Sequence, residues 1–204
     1  MQLFERWRAG DRQAGNALFE RHFDSVYRFF VHKAYEDAVD LVQRTFLGCV
    51  EAKDRFRMAS SFRTFLFAIA RNELMTYWRR RATHVPEPGG SSVNALARSP
   101  SSLLVERAEH RLLLEALRSI PLELQIALEL HYWEDLGMAE LAEVLEIPEG
   151  TAKSRLRRAR EALLERLAEL ESDPDRLRTT CANLDDWASS LKHAVLADRP
   201  SPSP

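Results

Sequence analysis

Near the middle of the chain, ATHVPEPGGSSVNALARSPSS (Ala82–Ser102) breaks every regular pattern around it. Proline, glycine and serine dominate this stretch, which carries only one acid and one base. Proline removes a backbone donor and glycine gives up conformational restraint, so neither a helix nor a strand runs through it. It reads as a flexible linker, residues 82–102. A coil of this length spans about 25 Å r.m.s. and about 70 Å when drawn straight. The 204 residues therefore divide into an N-terminal domain, 1–81, a C-terminal domain, 103–172, and a C-terminal extension, 173–204.

Both domains are patterned for helices. Met1–Arg81 has no proline, and its only glycines are Gly10, Gly15 and Gly48. Phe19, Phe23, Val26, Tyr27 and Phe30 recur at spacings of three and four, as on one face of a helix. Ala38, Val42, Thr45 or Phe46, and Cys49 do the same, with Asp40, Gln43 and Arg44 on the opposite side. Phe62, Leu66, Ile69 and Ala70 open a third helix that runs to about Arg81. Between the last two, EAKDRFRMASS reads as a polar loop. Beyond the linker, Leu103–Ile120 is amphipathic, and Pro121 suits the first turn of a helix reaching about Trp133. A short helix (Met138–Leu145), a turn (EIPE) and a longer helix from about Gly150 then follow. The longer helix has Ala152, Leu156, Ala159 and Leu163 as its buried stripe. This is helix-turn-helix spacing. The expected fold is all-α, with two small helical domains joined by a flexible linker.

The charges are unevenly spread. The net charge is only −2, yet residues 1–81 hold 15 bases and 10 acids, while 103–172 hold 9 bases and 15 acids. Five of those nine bases, Lys153, Arg155, Arg157, Arg158 and Arg160, fall within ten positions that no acid interrupts. On the second helix of a helix-turn-helix, Lys153, Arg157 and Arg158 suit guanine edges in the major groove, and Ser154 can donate or accept. Arg155 and Arg160 suit phosphates. An Arg-rich helix by itself is often only a solvated face; the preceding short helix and turn favour DNA binding. In the N-terminal domain Asn72, Thr76, Arg79 and Arg80 form a polar stripe flanked by Phe67, Tyr77 and Trp78. Basic residues among aromatics fit single-stranded nucleic acid, although Tyr77 and Trp78 fit simple packing equally well.

Other functions find little support. Cys49 and Cys181 make neither a disulfide framework nor a metal motif, and the six histidines show no metal-ligand spacing. No nucleophile motif and no phosphate-binding glycine loop occurs, so no catalytic residue, metal or cofactor is expected. No apolar run approaches a membrane span and no signal peptide is legible, which suggests a cytoplasmic protein without membrane insertion.

DLVQRTF (Asp40–Phe46) and FRTFLFAIARN (Phe62–Asn72) resemble region two of bacterial sigma-70 family sigma factors of the extracytoplasmic function (ECF) group. IPLELQIALELHYWEDLGMAELAEVLEIPEGTAKSRLRRAREAL (Ile120–Leu163) resembles their region four. The resemblance implies a sigma factor, not an enzyme: it binds core RNA polymerase and directs initiation at promoters with particular −10 and −35 elements. It implies that Asp40, Gln43 and Arg44 face polymerase; Phe46 is assigned to the core instead. It makes the loop Asp54–Ser61 the candidate for a flipped −10 base, with Asn72, Thr76, Arg79 and Arg80 contacting the same element. Lys153, Ser154, Arg155, Arg157 and Arg158 then bind the −35 element. Two elements one to two duplex turns apart lie about 35–70 Å apart, within the linker's reach. An anti-sigma factor as inhibitor is a further partner implied. Arg44 stands where the family usually has Glu, Phe65 where it has Trp, and Ala152 where Val is commoner. In the extension, Leu184, Trp187, Leu191 and Val195 form an amphipathic pattern that suits either docking on the body or a weakly ordered tail. Two alternatives remain at this point. One is a free-standing helix-turn-helix regulator that binds duplex DNA without polymerase, which leaves the DLVQ and IARN segments unexplained. The other is a decoy that binds polymerase or an anti-sigma factor without initiating.

Overall fold

A computed structural model describes residues 2–56, 60–84 and 108–171. Among them there is no strand. The helices are α1 (Gln2–Arg8), α2 (Arg12–Val31), α3 (Ala38–Ala52), α4 (Phe62–His84), α5 (Ala108–Ser119), α6 (Leu122–Tyr132), α7 (Met138–Leu145) and α8 (Glu149–Leu170). The all-α expectation holds. Most of the linker and the whole 173–204 extension, with its Leu184–Val195 pattern, lie outside the described residues. Contacts divide the described residues into two compact units: 2–56, 60–84 and 139–148 in one, 108–138 and 149–171 in the other.

The first unit opens with a helix that the sequence reading passed over, because charges surround its two anchors. Phe4 is fully buried and Trp7 nearly so. The chain reverses at Gly10, whose φ of +102° lies where side chains are strained. Asp11 then caps α2, its Oδ1 accepting the Ala14 N–H at 3.1 Å, while Arg6 pairs with Oδ2 at 2.7 Å. The cap's N–H bond and Arg6 both hold the Asp11 carboxyl below the usual carboxylate range. Gly15 is where the two helices touch: a Cβ there would stand 2.4 Å from Trp7 Cδ1.

Helices α2, α3 and α4 complete the bundle. Leu18, Val26, Tyr27 and Phe30 of α2, and Ala38, Leu41, Val42 and Cys49 of α3, are buried. Burial pushes the Cys49 thiol up to about 12, so it is an inert core group. From α4, Phe62, Leu66, Phe67, Ala70 and Leu74 fill the interior. Phe46 is half-buried rather than fully in the core, and its ring stacks on Phe19 at 4.7 Å. The segment expected to be a polar loop is partly structured. α3 continues to Ala52, a 3₁₀ turn occupies Lys53–Arg55, and Phe56 is buried. The Phe56 ring lies 5.0 Å from Phe4 and 4.6 Å from Phe65, so an apolar anchor overrides the polar composition. Phe65 thus does packing work at the position where Trp was expected.

His22 sits half-buried on this aromatic cluster, its ring 5.4 Å from Phe62. Burial, with Arg21 and Arg63 nearby, lowers its pKa to about 4. The folded state therefore holds His22 neutral, while the unfolded chain protonates it near 6.5. Its contribution is complete above about pH 6.5 and is lost as pH falls toward 4. His22→Gln is expected to unfold with a smaller loss of Tm than the parent over that window. Equal losses in thermal melts at pH 7 and 4.5 would show that His22 is not a source of acid sensitivity.

Grouping by contacts departs from chain order at α7. Glu140 Oε1 accepts from Ser61 Oγ at 3.1 Å and Thr64 Oγ1 at 3.2 Å, and Arg71 pairs with Glu146 at 3.5 Å. Its C-terminus is closed by Glu146 in the left-handed region (φ 55°). The Glu146 N–H donates to Glu143 O and the Ile147 N–H to Ala142 O, each at 3.1 Å, the double bond of a Schellman motif. Two residues later α8 begins at Glu149.

In the second unit α5 and α6 pack on α8. Leu113, Leu117, Ile126 and Leu130 meet the stripe Ala152, Leu156, Ala159, Leu163 and Leu167, all buried. Pro121 stands one residue before α6, as its N-cap, rather than within it. Its carbonyl accepts the N–H groups of Leu124 and Gln125 at 2.8 and 3.1 Å.

Candidate nucleic-acid interface and docking face

Three helices carry the candidate residues. On α8 the buried stripe fixes which side chains face out. Lys153, Ser154, Arg157 and Arg158 are exposed, as expected. Arg155 and Arg160 are not equivalent to them. The Arg155 side chain is only 15% exposed and pairs with Glu123 at 3.2 Å. Arg160 lies over the Tyr132 ring at 5.2 Å and donates to its hydroxyl. Both cations brace α8 against α6. Lys153 pairs with Glu149 at 2.9 Å and Arg157 with Glu161 at 2.6 Å, each one helical turn away. Ser154 Oγ donates to Gly150 O at 2.9 Å. Arg158 is exposed and has no ion pair or side-chain hydrogen bond among the described residues. Its guanidinium is the cation most available to a ligand.

On α4, Asn72, Thr76, Arg79 and Arg80 fall within an arc of about 100°, at about 100° per residue. Asn72, Arg79 and Arg80 are exposed and Thr76 is half-buried. Arg79 donates to Thr76 Oγ1 at 3.0 Å, and Arg71 to Asn72 Oδ1 at 3.4 Å. The neighbouring aromatics do not form the open stacking platform that the sequence allowed. Phe67 is in the core, edge-on to Phe29 at 5.7 Å. Tyr77 donates to Asp37 Oδ2 at 2.9 Å and accepts from Arg81 at 2.9 Å, tying α4 to the start of α3. Burial first, then the Asp37 carboxylate, raises the Tyr77 pKa. Trp78 is half-buried, edge-on to Tyr77 at 5.2 Å. In the expected base-capturing loop Asp54–Ser61, residues 57–59 lie outside the described residues.

On α3, Asp40, Gln43 and Arg44 are exposed, as expected. Arg44 pairs with Asp40 at 2.8 Å, so the unexpected cation brings little net charge to this face. The sequence reading missed the apolar part of the surface. Val39, Leu47 and Val50 are 47%, 58% and 42% exposed. With Gln43 they fall within an arc of about 80°, bordered by the Asp40–Arg44 pair. Isolated exposed aliphatics are ordinary, but a row of them with a charged rim has the make-up of a docking face. The signal was present as a second period along the helix, overlooked because the first accounted for the core.

The family model of sigma-70 region 2 matches residues 18–83, and that of sigma-70 region 4 matches residues 110–163. Together they span more than half of the chain. The chain belongs to the sigma-70 family. ECF RNA polymerase sigma-E factors are among its curated relatives. It is 28% identical over 172 residues to the ECF RNA polymerase sigma-E factors of Salmonella typhimurium and of Escherichia coli K12, covering 79% of this chain and 90% of each relative. The corresponding factor of Haemophilus influenzae is 27% identical over 173 residues, covering 79% of this chain and 91% of that protein. Solved structures share the fold. CnrH, in complex with the cytosolic domain of CnrY, aligns with a TM-score of 0.58 at 22% identity, over 83% of this chain and 97% of that one. The sigma factor RpoE of Bartonella quintana, in complex with the anti-sigma factor NepR, aligns at 0.57 and 23%, over 78% and 97%. Among the described residues no helix is long and apolar enough to cross a membrane, and no group of side chains is arranged to hold a metal ion.

Proposed function

We propose that this sigma-70 family chain is an ECF-type promoter-specificity subunit. It binds core RNA polymerase in the cytoplasm and directs initiation at promoters through their −10 and −35 elements. It performs no reaction of its own. The observation that carries the reading is the presence of both regions in one chain. A region-four helix-turn-helix alone would suit a free-standing regulator, but that reading gives region two nothing to do.

In this reading the division of labour follows the surfaces. The outer face of α3, with Asp40, Gln43 and Arg44 around Val39, Leu47 and Val50, docks on polymerase. The stripe Asn72, Thr76, Arg79 and Arg80 on α4 meets the −10 element, whose extruded base costs a few kcal/mol to unstack. On α8, Lys153, Ser154, Arg157 and Arg158 read the −35 element in the major groove, while Arg155 acts through its hold on Glu123. An anti-sigma factor is the natural inhibitor, since both solved relatives described above were captured with such a binding partner or with a cytosolic domain.

Mixing the full chain with bacterial core polymerase and following co-elution by size exclusion tests the reading. Co-elution, followed by run-off transcription from a selected promoter, is the expected result. A folded protein that stays separate from polymerase and binds a palindromic duplex alone would replace it with the free-standing regulator. Arg158→Ala is expected to weaken −35 binding by about 1–3 kcal/mol and to relax base preference at one position. Equal weakening on all sequences would make Arg158 a phosphate contact.

A further inference from the structure

From the start of α8, every fourth residue carries a charge: the acid Glu149, the bases Lys153 and Arg157 and the acid Glu161, with Glu165 and Glu169 continuing the row as acids. The structure pairs each of the two bases with the acid that flanks it. Glu149 Oε1 holds Lys153 Nζ at 2.9 Å, and Glu161 Oε1 holds Arg157 Nη1 at 2.6 Å. All four side chains are at least half exposed, between 50% and 68%. These four side chains therefore cancel in charge in the free protein. With Arg155 paired to Glu123, Arg158 is left as the one cation of the group Lys153–Arg158 without a carboxylate partner among the described residues.

We infer that Glu149 and Glu161 are specificity-determining residues of the −35 interface, an inference that rests on the function proposed above. A cation attracts phosphate on any sequence, and that attraction supplies most non-specific affinity. Here two of the reading cations meet DNA already satisfied. To contact a base, Lys153 and Arg157 must leave their carboxylates, and those carboxylates then face the phosphates unpaired. A correct base edge, with its two acceptors on guanine, replaces what is lost; a lone phosphate contact does not. Specificity is a difference of affinities, and the two acids widen it by weakening the wrong complexes more than the right one. Exposed pairs one turn apart are weak, so the correct site still opens them readily.

The same geometry separates this role from helix stabilisation. An acid in the first turn, such as Glu149, also favours the helix N-terminus. Glu161 lies in the middle of α8, where the helix dipole gives no such reason for an acid. Its partner is Arg157, at 2.6 Å, on the exposed face.

The test uses the full chain bound to core polymerase. The parent, Glu149→Gln, Glu161→Gln and the double variant each select from duplex promoters with a randomised −35 segment, at two salt concentrations. The preferred sequence is expected to stay the same for all four. The double variant is expected to bind non-preferred segments about five- to ten-fold more tightly, with a smaller change on the preferred one. Its salt dependence on the non-preferred segments should steepen, because freed cations now neutralise phosphates. Equal tightening on all segments, or none, would overturn the inference and leave the acids as solvated helix residues. Weaker binding to the preferred segment would also overturn it, since the pairs would then be positioning the cations. If the parent itself enriches no −35 sequence, the base-reading role of α8 fails, and the inference falls with it.

Discussion

Phe4→Ala is expected to destabilise the first unit by about 3–5 kcal/mol, the usual loss for deleting a buried phenyl ring. Phe4 has no exposed surface, and its ring meets Trp7 at 5.6 Å, Phe56 at 5.0 Å and Phe62 at 5.5 Å. It joins α1, the turn after α3 and the start of α4. Removing it leaves a cavity that these three elements border, and rigid rings collapse into such a space poorly. Small domains have only about 5–15 kcal/mol of total stability, so most of this unit's margin would go. The midpoint of urea unfolding, followed by circular dichroism, reads the effect. Phe4→Leu should recover much of it. A loss below about 1 kcal/mol for Phe4→Ala would mean that α1 is an appendage rather than part of the core.

Leu47→Asp is expected to abolish co-elution with core polymerase while leaving the fold intact. Leu47 is 58% exposed on α3, so the substitution disturbs no internal packing. At a docked face the same carboxylate would be desolvated opposite apolar surface. A buried, unpaired charge of this kind weakens an interface by about 2–5 kcal/mol, or upward of about thirty-fold in Kd. Arg44→Ala is expected to have a far smaller effect, because Asp40 already neutralises Arg44 and rim charges contribute little. Binding titrations of both variants with labelled polymerase decide the matter. If Leu47→Asp bound like the parent and Arg44→Ala did not, the charged rim rather than the apolar row would be the docking surface.

The two results also mark how far the sequence could be read. The helices of the bundle are legible because a 3.6-residue period survives any tertiary arrangement, and the period alone sets α7 at Met138–Leu145, where the structure has it. The exposed row Lys153, Ser154, Arg157 and Arg158 was legible for the same reason: Ala152, Leu156, Ala159 and Leu163 fix the inward side of α8 and hence the outward one. Helix α1 escaped because Phe4 and Trp7 are its only anchors, too few for a period, and what makes them anchors are rings far along the chain, Phe56 and Phe62 for Phe4 and Phe19 and Phe62 for Trp7. Phe56 escaped with it, hidden in a polar segment whose composition says nothing about one ring's destination.

The partners of the charged groups were illegible in a different way. Arg155 and Arg158 are the same residue type three positions apart, and spacing assigned both to DNA. Only packing separates them: α6 brings Glu123 to Arg155, and nothing described reaches Arg158. Tyr77 is a stacking candidate by its neighbours in sequence and a strut by its bond to Asp37, forty residues earlier. Local periodicity and chain breakers, which depend only on backbone geometry and solvent aversion, suffice for which segments are helical and which face is buried. Which exposed charge is free, which ring is a wall and which is an anchor depends on contacts between residues far apart in the chain, and those exist only once the helices have packed.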